Sequence, residues 1–161
     1  MKSVVIAGYA RSPFHYARKG ALAKVRPDDL AAQVVKALVE RTGVDPETIE
    51  DLILGCAFPE GEQGFNAHMA AGAIQLGAGD AFIAAGVESM TRVPMMGFNP
   101  APNPLLADSG AYVPMGITAE NVAEKWQIGR AAQEEFAVAS HQKAAAAREA
   151  GRLADEIVAI A

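Results

Sequence analysis

The chain has 161 residues and a formal net charge of −5, and this length fits one ordinary domain or part of a larger protein. Its 14 Lys and Arg residues are scattered, so we expect no nucleic-acid partner. One cysteine excludes an internal disulfide, and one cysteine with three scattered histidines gives no metal-ligand spacing.

The amino-terminal elements follow a strand and helix pattern. Residues 2–8 form a β-branched run that predicts a first strand, and this run is too short for a signal peptide or a membrane span. We therefore expect a cytoplasmic protein, or one whose targeting signal has been removed, without a membrane partner. Pro27 predicts the start of a helix, because Asp28 and Asp29 follow in its first turn, and Gly43 predicts its end.

The next elements predict a parallel sheet. Asp45 to Glu47 predict one short capped turn, and residues 51–56 predict the second strand. A loop over 58–66 and a short helix over 67–76 then lead to an uncharged run at 81–87. That run is typical of a strand buried on both faces, and the alternation of strand and helix favours an α/β fold with right-handed crossovers.

Polar residues follow the central strand at its carboxyl end, where open α/β sheets place their ligands. Glu88 and Ser89 are therefore candidates for a site, although they could equally cap the strand and start a turn. Cys56 is the only possible cysteine nucleophile, but it has no neighbouring His, Lys or Arg in sequence to lower the pKa of its thiol, so a small buried hydrophobe is the favoured interpretation.

The remaining chain divides into an irregular stretch and two helices. Residues 90–117 contain five prolines and no sustained period, which predicts a functional excursion. Thr118 predicts an N-cap for a helix through Gln127, residues 130–150 predict an alanine-rich helix, and residues 155–161 predict the start of a strand.

Several of these segments together resemble the thiolase family, the acetyl-CoA acyltransferases, in order and in spacing. The matching stretches are Val4–Gly8 with Arg11-Ser12-Pro13, Ala85-Gly86-Val87-Glu88-Ser89-Met90-Thr91, Met115 to Lys125, Gln133 to Ala137 and Glu156-Ile157-Val158.

The resemblance implies an α/β fold of the layered αβαβα type, of which this chain would hold the first half only. Residues 1–89 would form the amino-terminal core, residues 90–156 part of an inserted loop domain that covers coenzyme A, and residues 157–161 the start of a returning core strand. By position, Leu106 and Met115 match family residues that line the pantetheine and acyl pocket. Ordinary apolar packing is the alternative for both side chains.

The chain also departs from the family pattern. Asn66 is joined directly to Ala67, where the family carries about thirty further residues, roughly one strand-and-helix unit, including the turn with the nucleophilic cysteine. Cys56 aligns with the second strand and does not replace it. We therefore expect no catalytic residue in this chain, and the missing segments would be either deleted or left out of the sequence.

The resemblance implies acyl transfer to coenzyme A through a cysteine acyl-enzyme, in 3-ketoacyl-CoA thiolysis or acetyl-CoA condensation, as part of fatty acid metabolism. Acyl-CoA and coenzyme A would be the substrates, with no separate cofactor and no metal, and the protein would be a homodimer or homotetramer. Two alternatives remain: a non-catalytic thiolase-like module or partner subunit that binds coenzyme A or lipid, and a ketoacyl synthase, against which the Glu88-Ser89-Met90 stretch argues.

Overall fold

The computed structural model describes residues 4–61 and 78–161. Two compact units are present: unit 1 comprises Met1–Asn99 with Asp155–Ala161, and unit 2 comprises Pro100–Ala154. The predicted helix over 67–76 and the junction between Asn66 and Ala67 lie outside the described residues. Within the described part of the chain, no helix is both long and apolar enough to cross a membrane.

The described residues of unit 1 contain one long helix, α1, at Pro27–Thr42. Proline has no backbone N–H, but an N–H at the first helical position would have no partner within the helix, so proline is tolerated there. The two aspartates of the first turn complement the helix dipole. Gly43 ends the helix at φ 66°, a left-handed conformation that glycine adopts without a side-chain penalty. A 3₁₀ turn at Ala21–Lys24 precedes α1. The predicted helix is confirmed at both ends.

A second 3₁₀ turn, Pro46–Thr48, leads into the sheet, and the Asp45 side chain caps it by accepting from the Glu47 N–H. Strands β1 (Asp51–Gly55) and β2 (Phe82–Gly86) follow and pair in parallel. The register runs from Asp51 opposite Phe82 to Gly55 opposite Gly86. The predicted parallel arrangement is therefore confirmed, and β1 and β2 are direct neighbours in the sheet.

The core of unit 1 is small. Ile53, Val93 and Val158 are its buried hydrophobic residues in the part of the chain that the structure describes. The prediction that the central strand is buried on both faces is wrong, because no residue of β2 is buried. The described sheet has two strands, and α1 makes only sparse contact with β2, so much of the sheet surface stays accessible.

The two terminal strand predictions are also wrong for the described residues. No strand forms at residues 4–8, and the end of the chain contributes only an isolated parallel bridge between Arg11 and Ile157. β-branched residues favour extended backbone, but a strand also needs a neighbour that pairs with its backbone groups. The bridge is reinforced by the Arg11 guanidinium, whose Nε donates to Glu156 Oε1 at 2.8 Å.

Unit 2 consists of α2 (Pro104–Asp108), α3 (Met115–Lys125) and α4 (Arg130–Glu149), and none of their residues is buried. The stretch predicted to be irregular thus contains a short helix. The N-cap of α3 is Pro114 and not Thr118, whose hydroxyl instead donates to the Pro114 carbonyl one turn earlier. A threonine hydroxyl can bond back to the carbonyl four residues earlier as well as cap a helix start, so a threonine alone does not determine where a helix begins.

Candidate functional site

The loops after β1 and β2 meet at the carboxyl edge of the sheet, because parallel strands in register end on the same side. Glu88, the second residue after β2, reaches the loop after β1. Its Oε2 accepts a hydrogen bond from the Ala57 N–H at 2.9 Å and lies 3.5 Å from the Cys56 Sγ. We refer to Cys56, Ala57 and Glu88 as the carboxyl-edge cluster.

The electrostatics of this cluster disfavour a reactive thiol. Burial raises the pKa of the half-buried Cys56 thiol above its ordinary value, the Glu88 carboxylate adds to the increase, and a backbone hydrogen bond from Phe58 opposes part of it. Such a thiol stays protonated at neutral pH, and only the thiolate is a strong nucleophile. This agrees with the interpretation of Cys56 as an unactivated thiol, although its side chain is half-buried and not fully buried.

Ser89 begins a turn directly after the cluster. Its carbonyl accepts hydrogen bonds from the N–H groups of Arg92 and Val93, at 3.1 and 3.0 Å. The Thr91 hydroxyl oxygen accepts from the Arg18 N–H at 2.8 Å and so connects this turn to the segment before α1. Glu88 and Ser89 thus have the capping and turn-forming roles that were the alternative to a role in chemistry.

Two further carboxylates bind backbone groups distant in sequence, and neither was predicted from the sequence. Glu50 accepts from the Ala81 N–H at 2.7 Å and the Asp80 N–H at 3.1 Å, and these two bonds, in that order, lower the pKa of its carboxyl group. Glu60 Oε2 accepts from the Phe98 N–H at 2.6 Å. In the sequence, each of them is an acidic residue close to one end of β1. That position does not identify the backbone N–H group that the carboxylate binds.

The predicted pocket residues both lie in unit 2, on different helices. Leu106, in α2, is 49% exposed, and Met115, the first residue of α3, is 78% exposed. The Leu106 carbonyl accepts from the Ser109 hydroxyl at 2.8 Å and from the Ala111 N–H at 3.0 Å, which fixes the end of α2. Both side chains are therefore accessible to a ligand, and their role in binding stays a prediction.

Each unit also has a shallow groove. The groove of unit 1, about 620 Å³, is lined by Lys24, Arg26 and Arg92 together with Asp29 and Gln33. The groove of unit 2, about 380 Å³, lies at the junction of α3 and α4 beside Glu120 and Glu124. Neither groove includes the predicted pocket residues. Among residues 4–61 and 78–161, no cluster of three or more His, Cys, Asp or Glu side chains could hold a metal ion.

The chain is similar to known proteins along nearly its whole length. The family described as "Thiolase, N-terminal domain" matches the chain in two parts, residues 4–71 and residues 64–161. A "3-ketoacyl-CoA thiolase" of Bacillus subtilis is 43% identical over 192 aligned positions, which cover 99% of this chain and 49% of the relative. The "3-ketoacyl-CoA thiolase" of Shewanella loihica is 38% identical, over 99% of this chain and 50% of the relative.

A plant relative, "3-ketoacyl-CoA thiolase 2, peroxisomal" of Arabidopsis thaliana, is 34% identical over 98% of this chain and 41% of its own length. The chain thus spans about half the length of the curated relatives it matches. The alignment with the Bacillus protein has 192 positions and the chain has 161 residues, so at least 31 positions have no counterpart here. The two-part match places a discontinuity at residues 64–71, consistent with the predicted gap after Asn66. The chain belongs to the thiolase family and corresponds to its N-terminal domain.

Proposed function

We propose that this chain is the N-terminal part of a 3-ketoacyl-CoA thiolase, an acyltransferase that moves an acyl group between an enzyme cysteine and coenzyme A. The observation that carries the proposal is the similarity to proteins of that name over 98–99% of the chain. Acyl-CoA and coenzyme A are the proposed substrates, and no separate cofactor is required. The reaction belongs to fatty acid metabolism, in the direction of thiolysis or of condensation.

We further propose that the chain as given does not itself catalyse this reaction. Thiolysis needs a thiolate, donors for the resulting oxyanion, and a group that protonates the departing acetyl-CoA carbanion. The sequence has one cysteine, Cys56, and the raised pKa of its thiol does not suit nucleophilic attack. The 31 or more absent positions lie where the family resemblance places the nucleophile turn.

A second candidate is a non-catalytic thiolase-like module or partner subunit that binds coenzyme A or lipid. Unit 2 favours this candidate. It forms three helices, and its Leu106 and Met115 side chains are accessible. Apolar side chains on such a surface suit the pantetheine arm and an acyl chain.

Two assays separate these functions. We expect no thiolysis of a 3-ketoacyl-CoA by the purified chain, and acetoacetyl-CoA cleavage above the uncatalysed rate would contradict the proposed inactivity. If the chain is a binding module, isothermal titration calorimetry should show that it binds coenzyme A, and Leu106→Ala and Met115→Ala should each weaken this binding several-fold. The matched control is Val138→Ala, which removes an exposed side chain of α4 and should leave binding unchanged. Absence of binding by the unmodified chain would refute the binding module.

Assembly and localisation are part of the same proposal. We propose a homodimer or homotetramer located in the cytoplasm, without nucleic-acid or membrane partners. The sedimentation velocity of the purified chain measures the first property, and fractionation of the source cells measures the second. The printed name of the Arabidopsis relative makes peroxisomes the alternative compartment.

A further inference from the structure

The first segment of unit 1 carries positive charge only. No Asp or Glu occurs before Asp28, whereas residues 4–27 contain the basic residues Arg11, Arg18, Lys19, Lys24 and Arg26. The whole chain has a formal net charge of −5, so this segment is opposite in sign to the remainder. A segregation of charge of this kind attracts anions to the surface that the segment forms.

A hydrogen bond brings Arg92 to this segment from a distant place in the sequence. Its Nη2 donates to the Lys24 carbonyl at 2.9 Å. Pro27 and Val93, which directly follow Arg26 and Arg92, are the largest fully buried side chains among the described residues. The backbone beside both arginines is therefore anchored before any ligand binds, and such preorganisation lowers the cost of binding.

The groove of unit 1 combines these basic side chains with one carboxylate. Lys24, Arg26, Arg92 and Asp29 line it, and its volume of about 620 Å³ lies in the range of small-molecule sites. Arg26 donates to the Asp28 carboxylate from Nε at 3.0 Å and from Nη2 at 2.9 Å, which offsets its charge. Lys24 forms no ion pair with a carboxylate of the described residues. The Lys24 ammonium is thus the cation most available to a ligand, and the Arg92 guanidinium lies on the same groove.

We propose that the groove of unit 1 binds a phosphate ester that carries hydroxyl groups, a sugar phosphate or a nucleotide. An ammonium and a guanidinium suit the phosphate group, because both donate charge-assisted hydrogen bonds to its oxygens. The first turn of α1 does not hold the phosphate, since Pro27 has no N–H and Asp28 and Asp29 are negative. The phosphate therefore binds to Lys24 and Arg92.

Two polar side chains of α1 select for the hydroxyl groups. The Asp29 carboxylate only accepts hydrogen bonds, so it binds hydroxyl groups and repels a second anion. Gln33 lies one turn later and lines the same groove. Its Oε1 accepts from the N–H of Ala161, another lining residue, at 2.9 Å, which leaves the amide NH₂ group as its donor. A phosphate ester with hydroxyl groups satisfies both the cations and these side chains, whereas inorganic phosphate satisfies only the cations.

The test is isothermal titration calorimetry of the full chain with ribose 5-phosphate, and AMP, inorganic phosphate and ribose are the comparison ligands. We expect a dissociation constant of roughly 0.1–1 mM for ribose 5-phosphate at low ionic strength, with inorganic phosphate at least about 5-fold weaker and ribose not bound. Tighter binding of AMP would assign the site to nucleotides, and weaker binding would assign it to sugar phosphates. Absence of binding of both esters at about 10 mM would overturn the proposal.

Three variants test the assigned roles. Lys24→Gln removes the ammonium but keeps the carbonyl that binds Arg92, and it should weaken ribose 5-phosphate binding about 5- to 10-fold. The matched control is Lys143→Gln, the same change at an exposed lysine of α4, and it should bind unchanged. Asp29→Asn removes a negative charge, so inorganic phosphate should bind about 2-fold more tightly while the advantage of ribose 5-phosphate decreases. Equal effects of the two lysine changes, or an unaltered ligand preference in Asp29→Asn, would contradict the proposal.

A second measurement does not depend on the folding of any variant. In the unmodified chain, ribose 5-phosphate should shift the amide NMR signals of Lys24, Asp29 and Arg92, and shifts confined to unit 2 would overturn the proposal. The inference is independent of acyl transfer. Leu106→Ala, which should weaken coenzyme A binding, should leave ribose 5-phosphate binding unchanged, so the two proposals can fail separately.

Discussion

Replacement of Val93 by alanine tests whether the small core of unit 1 holds that unit together. Val93 is 2% exposed, the lowest value among the core residues. The change removes two methyl groups, which costs about 1.6 kcal/mol in transfer free energy at roughly 0.8 kcal/mol per buried carbon. The cavity left behind adds to this cost, so we expect the free energy of unfolding to fall by about 2–3 kcal/mol.

A loss of this size is measurable, because a domain of this length has a total stability of roughly 5–15 kcal/mol. Urea unfolding followed by far-ultraviolet circular dichroism should show a lower midpoint with an unchanged slope. The control, Val138→Ala, shortens a side chain that is 55% exposed on α4, and its effect should stay within about 0.5 kcal/mol. A Val93→Ala cost below about 0.5 kcal/mol, or one equal to the control, would refute the assignment of Val93 to a stabilising core.

Three further predictions follow from the polar contacts. A double-mutant cycle of Arg11→Gln and Glu156→Gln should give a coupling energy of about 0.5–1.5 kcal/mol, since this ion pair is only partly exposed; purely additive effects would contradict it. The lowered pKa of Glu50 means that its carboxylate stabilises the fold above its ordinary value of 4.5, and this contribution is lost as the pH falls through the lowered value. Glu50→Gln should therefore weaken the acid dependence of the thermal midpoint, and an unchanged pH profile would exclude this role. Because the pKa of Cys56 is raised, iodoacetamide should alkylate its thiol more slowly at neutral pH than it alkylates free cysteine, and Glu88→Gln should accelerate the reaction. A rate equal to that of free cysteine would show that burial does not protect the thiol.

The carboxyl-edge cluster also bears on how a chain that lacks a segment keeps its sheet. Glu88 holds the loop after β1 from a position 31 residues later in sequence, and Glu50 holds the start of β2 from a comparable distance. Both carboxylates connect elements on either side of the discontinuity. These two contacts therefore help to hold β1 beside β2 in a chain that lacks the absent positions. β1 and β2 pair in register along their whole length, although the sequence between them lacks positions that the relatives have.

Local sequence determined the elements whose signals lie within a few residues of one another. Pro27 with two following aspartates and Gly43 define α1, and Asp45 before Pro46 defines the turn that leads to β1. These signals succeed because they act on the backbone of the same turn, through a fixed proline φ, a side-chain cap or a left-handed glycine. The apolar runs within β1 and β2 were recognisable for a related reason, since β-branched and apolar residues favour extended backbone.

Only the tertiary structure decided which extended segments became strands, how deeply they were buried and which carboxylates found partners. Residues 4–8 contain three β-branched residues and β1 contains one, yet β1 has a neighbour in register and residues 4–8 form no strand. The burial of β2 depends on the layers that cover it, and the bond from Ala57 to Glu88 joins two loops that meet only once the strands have paired. Backbone preference is a local property, whereas pairing and burial depend on what else is present around the strand, and no short stretch of sequence contains that information.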